Sequence, residues 1–149
     1  MAALFLDASA VVKRYIIAEA HMQQIRRACA PSTGNVLILA RHTSVEIASA
    51  LARRVREGVL LPHDQERLWQ SVNQHWTYHY QIVPASEQVF QTAQALVVKH
   101  PLRAADAVQI ASALLVAAGM PDALLRFWTA DRRQAAAARA EGLDVELLT

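Results

Sequence analysis

Four acidic residues stand where the pattern of the sequence changes. Asp7 and Asp131 each follow a short apolar run, and Glu46 and Asp106 each fall in the first turns of a predicted helix. In an open parallel sheet, strands end and helices begin along one edge, which is where such sheets bind ligands. We therefore expect the four carboxylates to point into one crevice. Crowded carboxylates repel each other, and a divalent cation suited to carboxylate and water ligands, Mg²⁺ or Mn²⁺, would relieve that repulsion.

A second interpretation of these acids requires no metal. A carboxylate at the start of a helix accepts hydrogen bonds from free backbone amides and interacts favourably with the helix dipole. Asp7 and Asp131 fit such N-cap positions, and the stretch Thr43–Glu46 fits a capping box in which Glu46 reaches back. Asp106 is the hardest to explain in this way, because its neighbours are apolar and burying a lone ionised carboxylate is costly. Taken together, the acids are better explained by a metal site.

The stretch from Leu102 to Gly119 predicts the helix around which the chain is organised. Its apolar residues recur every three or four positions, and its other face carries little charge. We therefore expect this helix to be covered on most sides. Gly119 fits the residue just past its end, and Pro121 would prevent continuation.

Apolar runs alternate with helical patterns along the rest of the chain. Strands are predicted over Ala2–Leu6, Val36–Ala40, Gln81–Val83, Leu124–Thr129 and Asp144–Leu148. Helices are predicted over Ala8–Ala18, His21–Ala30, Thr43–Glu57, Pro62–Tyr78 and Arg132–Glu141, with another from its cap Ser86 to the break at His100. Val45, Phe90 and Val97 are among the residues expected to face inward. The alternation predicts an α/β fold: three layers, with helices on both faces of a mostly parallel sheet of four to five strands.

Composition narrows the class of protein. The chain has 149 residues, 54% of them hydrophobic, which excludes a disordered chain and suits one domain spanning residues 1–149. No apolar run reaches the roughly 18 residues of a membrane span, and the start lacks the basic region of a signal peptide. Cys29 is the only cysteine and forms no internal disulfide, which fits a reduced cytoplasmic protein.

The basic residues are mainly arginines. Net charge is +2, with only two lysines among the 15 basic residues. Arginine forms bidentate contacts with phosphate, so an anionic partner such as RNA and an ordinary solvated surface are both open. Arg53, about two turns after Glu46, and Arg103, one turn before Asp106, are candidates for contacts with RNA phosphates. A solvated face is the alternative for Arg53, and pairing with an acid is the alternative for Arg103.

The sequence around the acids resembles that of the PIN-domain ribonucleases. The likeness is greatest to their toxin branch, the VapC toxins of type II toxin–antitoxin pairs, and it extends over nearly the whole chain in order and spacing. It rests on four segments: LFLDASAVVKRY, TSVEIASAL, LRAADAVQIASAL and FWTADRR.

The resemblance implies a role for each acid. In that family four acids bind Mg²⁺ or Mn²⁺ and the enzyme cuts single-stranded or loop RNA. Asp7 and Asp106 match the principal metal ligands. Glu46 matches the third acid, and Asp131 matches the more variable fourth.

The resemblance also implies partners and products. Ser9 and Thr129 match polar positions beside the site. The expected protein is a homodimeric toxin held inactive by a small antitoxin whose tail covers the acidic crevice, and it leaves a 5′-phosphate and a 3′-hydroxyl. One rival is a catalytically silent PIN-like module that binds RNA or a partner. Another is a phosphatase with Asp7 as nucleophile, which is disfavoured because Ser9 stands where a second acid is wanted.

Overall fold

The fold is a five-stranded sheet with helices packed on both faces. The computed structural model describes residues 1–17, 19–120 and 125–149. The strands are β1 Ala3–Leu6, β2 Val36–Ala40, β3 Tyr80–Val83, β4 Leu125–Thr129 and β5 Asp144–Leu147. The helices are α1 Ala8–Val11, α2 Met22–Cys29, α3 Thr43–Arg56, α4 Pro62–Tyr78, α5 Glu87–Lys99, α6 Ala104–Ala118 and α7 Arg132–Ala140. Two short 3₁₀ turns lie at Val12–Arg14 and Pro31–Thr33.

All strand pairs of the sheet are parallel. The order is β3-β2-β1-β4-β5. Parallel strands buried on both faces read as continuous apolar runs, which is what β1 and β2 do. The predicted α/β class with a parallel central sheet is therefore confirmed.

Two hydrophobic clusters fill the space above and below the sheet. Phe5 of β1 belongs to the cluster beneath α5, α6 and α7, where its ring stacks on Phe127 with centroids 5.6 Å apart. Leu4 and Leu6 belong to the other cluster, with residues of α1, α2, α3 and α4. Because alternate residues of a strand face opposite sides, one short strand contributes to both cores. The result is the expected three-layer arrangement.

Helix α6 is the buried element that the sequence predicts. From Ala107 to Ala113 every residue except Val108 is buried, and polar side chains are included in that stretch. Gly119 occupies the C-cap position. The predicted role of Pro121 and the predicted strand residue Leu124 lie outside the described residues.

The first helix is shorter than predicted. The expectation was a helix over Ala8–Ala18, but α1 ends at Val11 and continues as the 3₁₀ turn; Ala18 lies outside the described residues. Adjacent β-branched residues such as Val11 and Val12 lose side-chain freedom in a helix, which favours an early end. Ile17 is 78% exposed beyond that turn.

Three residues predicted to face inward do not. Val45 is 69% exposed, Phe90 is 43% exposed and Val97 is 40% exposed. A helical period identifies a broad apolar stripe, and the residues at its border lie outside the contact with the sheet. The predictions were wrong at these borders and right for the centres of the stripes, such as Leu51 and Val89.

The strand order determines where a crevice opens in the molecule. From β1, the chain runs to one side through β2 and β3 and later returns to the other side as β4 and β5. Crevices form outside the carboxyl ends of the strands at such a reversal point. Asp7 directly follows β1 and Asp131 comes two residues after β4. None of the helices in the described ranges is long and apolar enough to cross a bilayer.

Candidate active site

A crevice of about 610 Å³ opens at the reversal point. Four separate elements or strand ends contribute an acidic side chain to its lining, and two of the arginines singled out in the sequence line it as well. The predicted residues found there are Asp7, Ser9, Glu46, Arg53, Arg103, Asp106 and Asp131. Thr129 lies behind this lining, in contact with Asp7.

Asp7 is an N-cap and a buried carboxylate at the same time. Its side chain accepts hydrogen bonds from the Ala10 amide at 2.9 Å, Ser9 Oγ at 2.7 Å and Thr129 Oγ1 at 2.5 Å. The residue is only 1% exposed. Burial raises the pKa of Asp7 to about 7, although the three hydrogen bonds oppose that shift and the nearby Asp106 adds to it. Capping alone does not require such burial.

The hydroxyl groups of Ser9 and Thr129 tie the two strand ends together. Ser9 Oγ accepts a hydrogen bond from the Ala130 amide at 2.8 Å, and Thr129 Oγ1 accepts one from the Asp131 amide at 3.1 Å. The two hydroxyls lie 3.2 Å apart. The polar positions beside the site therefore fix the backbone that carries the first and fourth acids.

Asp106 lies in the first turn of α6 and is partly exposed to the crevice. Within the described ranges its carboxylate accepts no hydrogen bond, unlike that of Asp7. Burial raises the pKa of Asp106, and the carboxylates of Asp131 and Glu46 raise it further against the opposing effect of Arg103 and His42. Three of the acids therefore lie close enough to repel one another.

Glu46 is held by two donors. His42 Nε2 and Gln109 Nε2 each lie 2.9 Å from its Oε1. Burial alone would raise the pKa of Glu46, but the hydrogen bonds from these donors outweigh it and the pKa is lowered. The capping-box interpretation was wrong, because His42 is the N-cap residue and the buried hydroxyl of Thr43 accepts from Gln109 at 3.0 Å.

Asp131 combines a capping role with a place in the crevice. Its Oδ1 accepts from the amides of Arg133 at 2.8 Å and Gln134 at 3.1 Å, so the cap interpretation holds for this residue. The same residue lines the crevice and contributes to the raised pKa of Asp106. The two interpretations of the acids are therefore compatible here.

Two glutamines belong to the site and were missed in the sequence. Gln109 is 1% exposed and lies three residues after Asp106, so it occupies the same side of α6. Gln134 is 2% exposed, and its Nε2 lies 3.3 Å from the carbonyl oxygen of Asp106. A long polar side chain inside an apolar helix was the available signal, because such groups are buried only when hydrogen-bonded.

The crevice also has a basic side. Besides Arg53 and Arg103, it is lined by Lys13 and Arg54, which both form ion pairs with Glu19. No local pattern singles out Lys13, Glu19 and Arg54, because their pairing joins the 3₁₀ turn, a loop and the end of α3. The site therefore offers carboxylates for a cation beside cations for an anion.

The donor set fits a hard divalent cation with water in its coordination shell. Carboxylates are the ligands that Mg²⁺ and Mn²⁺ prefer. Across residues 1–17, 19–120 and 125–149, no three His, Cys, Asp or Glu side chains are arranged to hold one ion between them. Mg²⁺ characteristically takes one or two carboxylates and keeps several waters, so this arrangement fits such an ion and does not form a closed protein cage.

Comparison with known proteins agrees with the fold. A PIN domain family profile matches residues 4–143, and the chain belongs to the PIN domain family. The resemblance inferred from the four segments is therefore confirmed. None of the curated proteins matches this chain.

Several solved structures share the architecture. VapC20 of Mycobacterium tuberculosis, described as a sarcin-ricin loop cleaving toxin, is 15% identical with a TM-score of 0.64, over 90% of this chain and 94% of that one. FitAcB of Neisseria gonorrhoeae is 17% identical with a TM-score of 0.64, over 95% of both chains. A domain of a functionally unknown protein of Methanocaldococcus jannaschii is 13% identical with a TM-score of 0.52, over 100% of this chain and 92% of that one. At these identities the likeness establishes the fold.

Proposed function

We propose that this protein is a metal-dependent endoribonuclease and the toxin of a type II toxin–antitoxin pair. The observation that carries the proposal is the convergence of four carboxylates, from four places in the chain, on one crevice at the reversal point of the sheet. Burial is the main cause of the raised pKa values of Asp7 and Asp106, and neighbouring carboxylates add to both shifts. Perturbed carboxylates in a cleft are typical of catalytic sites.

Each acid has a distinct task in this proposal. Asp7 and Asp106 hold Mg²⁺ or Mn²⁺, and Asp131 completes the negative pocket. Glu46, whose lowered pKa keeps it ionised, orients the attacking water by accepting a hydrogen bond from it. A bound cation of this kind lowers the pKa of water and stabilises the charge on the phosphate being cut.

The same site favours an RNA substrate. Arg53 and Arg103 line the crevice beside the acids and are placed to contact RNA phosphates. We expect the products that the resemblance to PIN-domain ribonucleases implies, a 5′-phosphate and a 3′-hydroxyl. Transfer RNA, ribosomal RNA and messenger RNA are all open as targets.

We further propose a homodimer and a small antitoxin whose tail covers the crevice. Val45 lines the crevice and is 69% exposed, which gives a covering partner an apolar contact beside the charged pocket. The likeness in fold to VapC20, which is a toxin, supports this class of assignment.

A second candidate is a catalytically silent PIN-domain module. The observation that favours it is the lack, in the part of the chain described, of three side chains arranged around one ion position. Calorimetric titration with Mn²⁺ separates the two, because the nuclease is expected to bind the ion and lose that binding in Asp106→Asn. A silent module binds none.

The test in cells is brief expression followed by sequencing of RNA ends. We expect growth arrest and new 5′-phosphate ends at defined sites for the wild type, and neither for Asp106→Asn. Asp144→Asn is the matched control, because Asp144 lies at the start of β5 on the opposite edge of the sheet and pairs with Arg126. Full activity of Asp106→Asn would rule out the proposed role.

A further inference from the structure

A cluster of three charged residues lines the crevice outside the group of four acids. Glu19 lies between α1 and α2, Lys13 lies in the 3₁₀ turn, and Arg54 lies in the last turn of α3. Lys13 Nζ lies 3.6 Å from Glu19 Oε2, and the Arg54 guanidinium pairs with Glu19 Oε1. Each carboxylate oxygen therefore has its own cation.

The two cations are placed for an anion with two charged oxygens. The side chains of Lys13 and Arg54 are 11% and 23% exposed, so both are partly shielded from water but still accessible from the crevice. Such partly desolvated cations bind an anion more strongly than fully solvated ones do. A phosphodiester group shares its negative charge between two oxygens, as the carboxylate of Glu19 does. The arginine guanidinium is well suited to bind either group.

The pairing is not needed to hold the fold together. Ion pairs that retain access to solvent contribute about 0–1 kcal/mol to stability. The residues around the pair are held by the core, since Val12 and Ile16 are buried in the cluster beneath α1, α2 and α3. A cation pair that lines the substrate crevice is thus available to a ligand at small cost to the fold.

We propose that Lys13 and Arg54 form a subsite for a backbone phosphate of the RNA, and that Glu19 occupies this subsite in the free protein. The inference rests on the proposed nuclease function and adds the path of the substrate. The RNA strand lies across the four acids and continues over Lys13 and Arg54, where one of its phosphates displaces the carboxylate of Glu19 from these two cations. Glu19 is then a competitor of the substrate for these two cations.

Binding of a short fluorescein-labelled single-stranded RNA, followed by anisotropy, tests the subsite. All proteins carry Asp106→Asn so that the probe is not cut. We expect Glu19→Gln to raise RNA affinity about threefold to tenfold, because the competing charge is removed. We expect Arg54→Gln to lower affinity, and to lower it more in the Glu19→Gln background than with Glu19 present.

Glu57→Gln is the matched control. Glu57 lies 3.6 Å from the same Arg54, but it is 50% exposed and does not line the crevice. Glu57→Gln removes the same charge as Glu19→Gln does, and we expect it to change RNA affinity by less than about twofold. An equal effect of Glu19→Gln and Glu57→Gln, or no coupling between Glu19→Gln and Arg54→Gln, overturns the subsite.

The outcomes also separate this inference from the function on which it rests. RNA binding that does not respond to Glu19→Gln or Arg54→Gln overturns the subsite and leaves the nuclease intact. RNA binding by none of the proteins, including the Asp106→Asn parent, overturns both. Arg54→Gln alone keeps the test decisive if Glu19→Gln fails to fold, which circular dichroism reports.

Discussion

Asp7 is the residue at which folding and the proposed function conflict. It is buried at 1% exposure, and burial raises its pKa from 3.8 to about 7. Each unit of pKa shift corresponds to about 1.4 kcal/mol, so the ionised form is destabilising by up to about 4 kcal/mol without a counter-charge. A bound cation would remove most of that penalty. The ionised carboxylate therefore destabilises the fold, and the proposed site uses it to hold the cation.

The pH dependence of stability tests this conflict in metal-free protein. Between pH 4 and pH 7 the folded state keeps a proton on Asp7 that the unfolded state has lost. Stability falls with pH wherever the folded state binds more protons, so the contribution of Asp7 is full below about pH 4 and is lost as pH rises to about 7. We expect Asp7→Asn to remove this slope and to be more stable than wild type by about 1–3 kcal/mol at pH 8.

Denaturant unfolding in EDTA at pH 4 and pH 8 measures the effect. The difference between wild type and Asp7→Asn isolates Asp7 from the other acids, some of which shift in the opposite direction, such as Glu46. Added Mg²⁺ or Mn²⁺ should stabilise the wild type and leave Asp7→Asn unchanged. A variant less stable than wild type at pH 8 would show that Asp7 is mainly a helix cap.

Gln109 is expected to act through Glu46. It donates to Glu46 at 2.9 Å and shares that task with His42. Gln109→Leu removes one donor, so we expect kcat to fall about tenfold with little change in KM. The pKa of Glu46 should also rise, which moves the acid limb of the pH–rate profile upward.

Ser112→Ala is the control for Gln109→Leu. Ser112 is 1% exposed on the same helix, and its hydroxyl donates only to the carbonyl oxygen of Val108. It should leave both the rate and the pH profile unchanged. A loss of stability in Gln109→Leu with an unshifted pH profile would assign Gln109 a structural role only.

Helix α7 offers a way to separate capping from chemistry. Asp131 caps this helix through Oδ1 and lines the crevice as well. Serine is as good an N-cap as aspartate but carries no charge. We expect Asp131→Ser to unfold within about 0.5 kcal/mol of wild type, while Asp131→Ala loses about 1 kcal/mol.

The activities of the two variants decide between the interpretations. If the carboxylate belongs to the site, Asp131→Ser should lose RNA cleavage as fully as Asp131→Ala does. If Asp131 is only a cap, Asp131→Ser should retain full cleavage. Thermal unfolding and cleavage of the same preparations give both answers.

At the level of elements, the sequence predicts those features that a local pattern of residues determines. Helix α6 was predicted because its apolar period is unbroken, and Asp106 because a carboxylate there is out of place. The exposed position of Val45 was not predictable, because it depends on which part of a stripe meets the sheet. The early end of α1 has a local cause in its β-branched residues, which apolar periodicity alone does not detect. A polar side chain inside an apolar helix indicates that Gln109 has a partner, but only the tertiary fold determines that the partner is Glu46.

At the level of the molecule, one topological feature gathers the site. The strand order reverses between β1 and β4, and the elements around this point bring the four predicted acids, Glu19 and four cations to one opening. Local patterns placed each acid at a strand or helix end, but only the tertiary fold decides that these ends meet. The ion cluster of Glu19 with Lys13 and Arg54 is the part of the site that depends most on this assembly.

RNA binding should depend on the salt concentration, because the crevice contains cations beside its carboxylates. With several cations in the crevice, affinity of the Asp106→Asn protein for single-stranded RNA should fall steeply with salt, with a slope of about 0.7 for each phosphate contacted. Arg53→Gln should weaken binding and make the slope shallower. A salt-independent affinity would mean that phosphates are not bound by this face.

Cleavage of RNA by the purified protein tests the central claim most directly. We expect cuts with 5′-phosphate ends in Mg²⁺ or Mn²⁺, no cuts in EDTA, recovery of cleavage when the cation is restored, and no cuts at any cation concentration for Asp106→Asn. Cleavage that persists in EDTA, or an Asp106→Asn protein as active as the wild type, would contradict it.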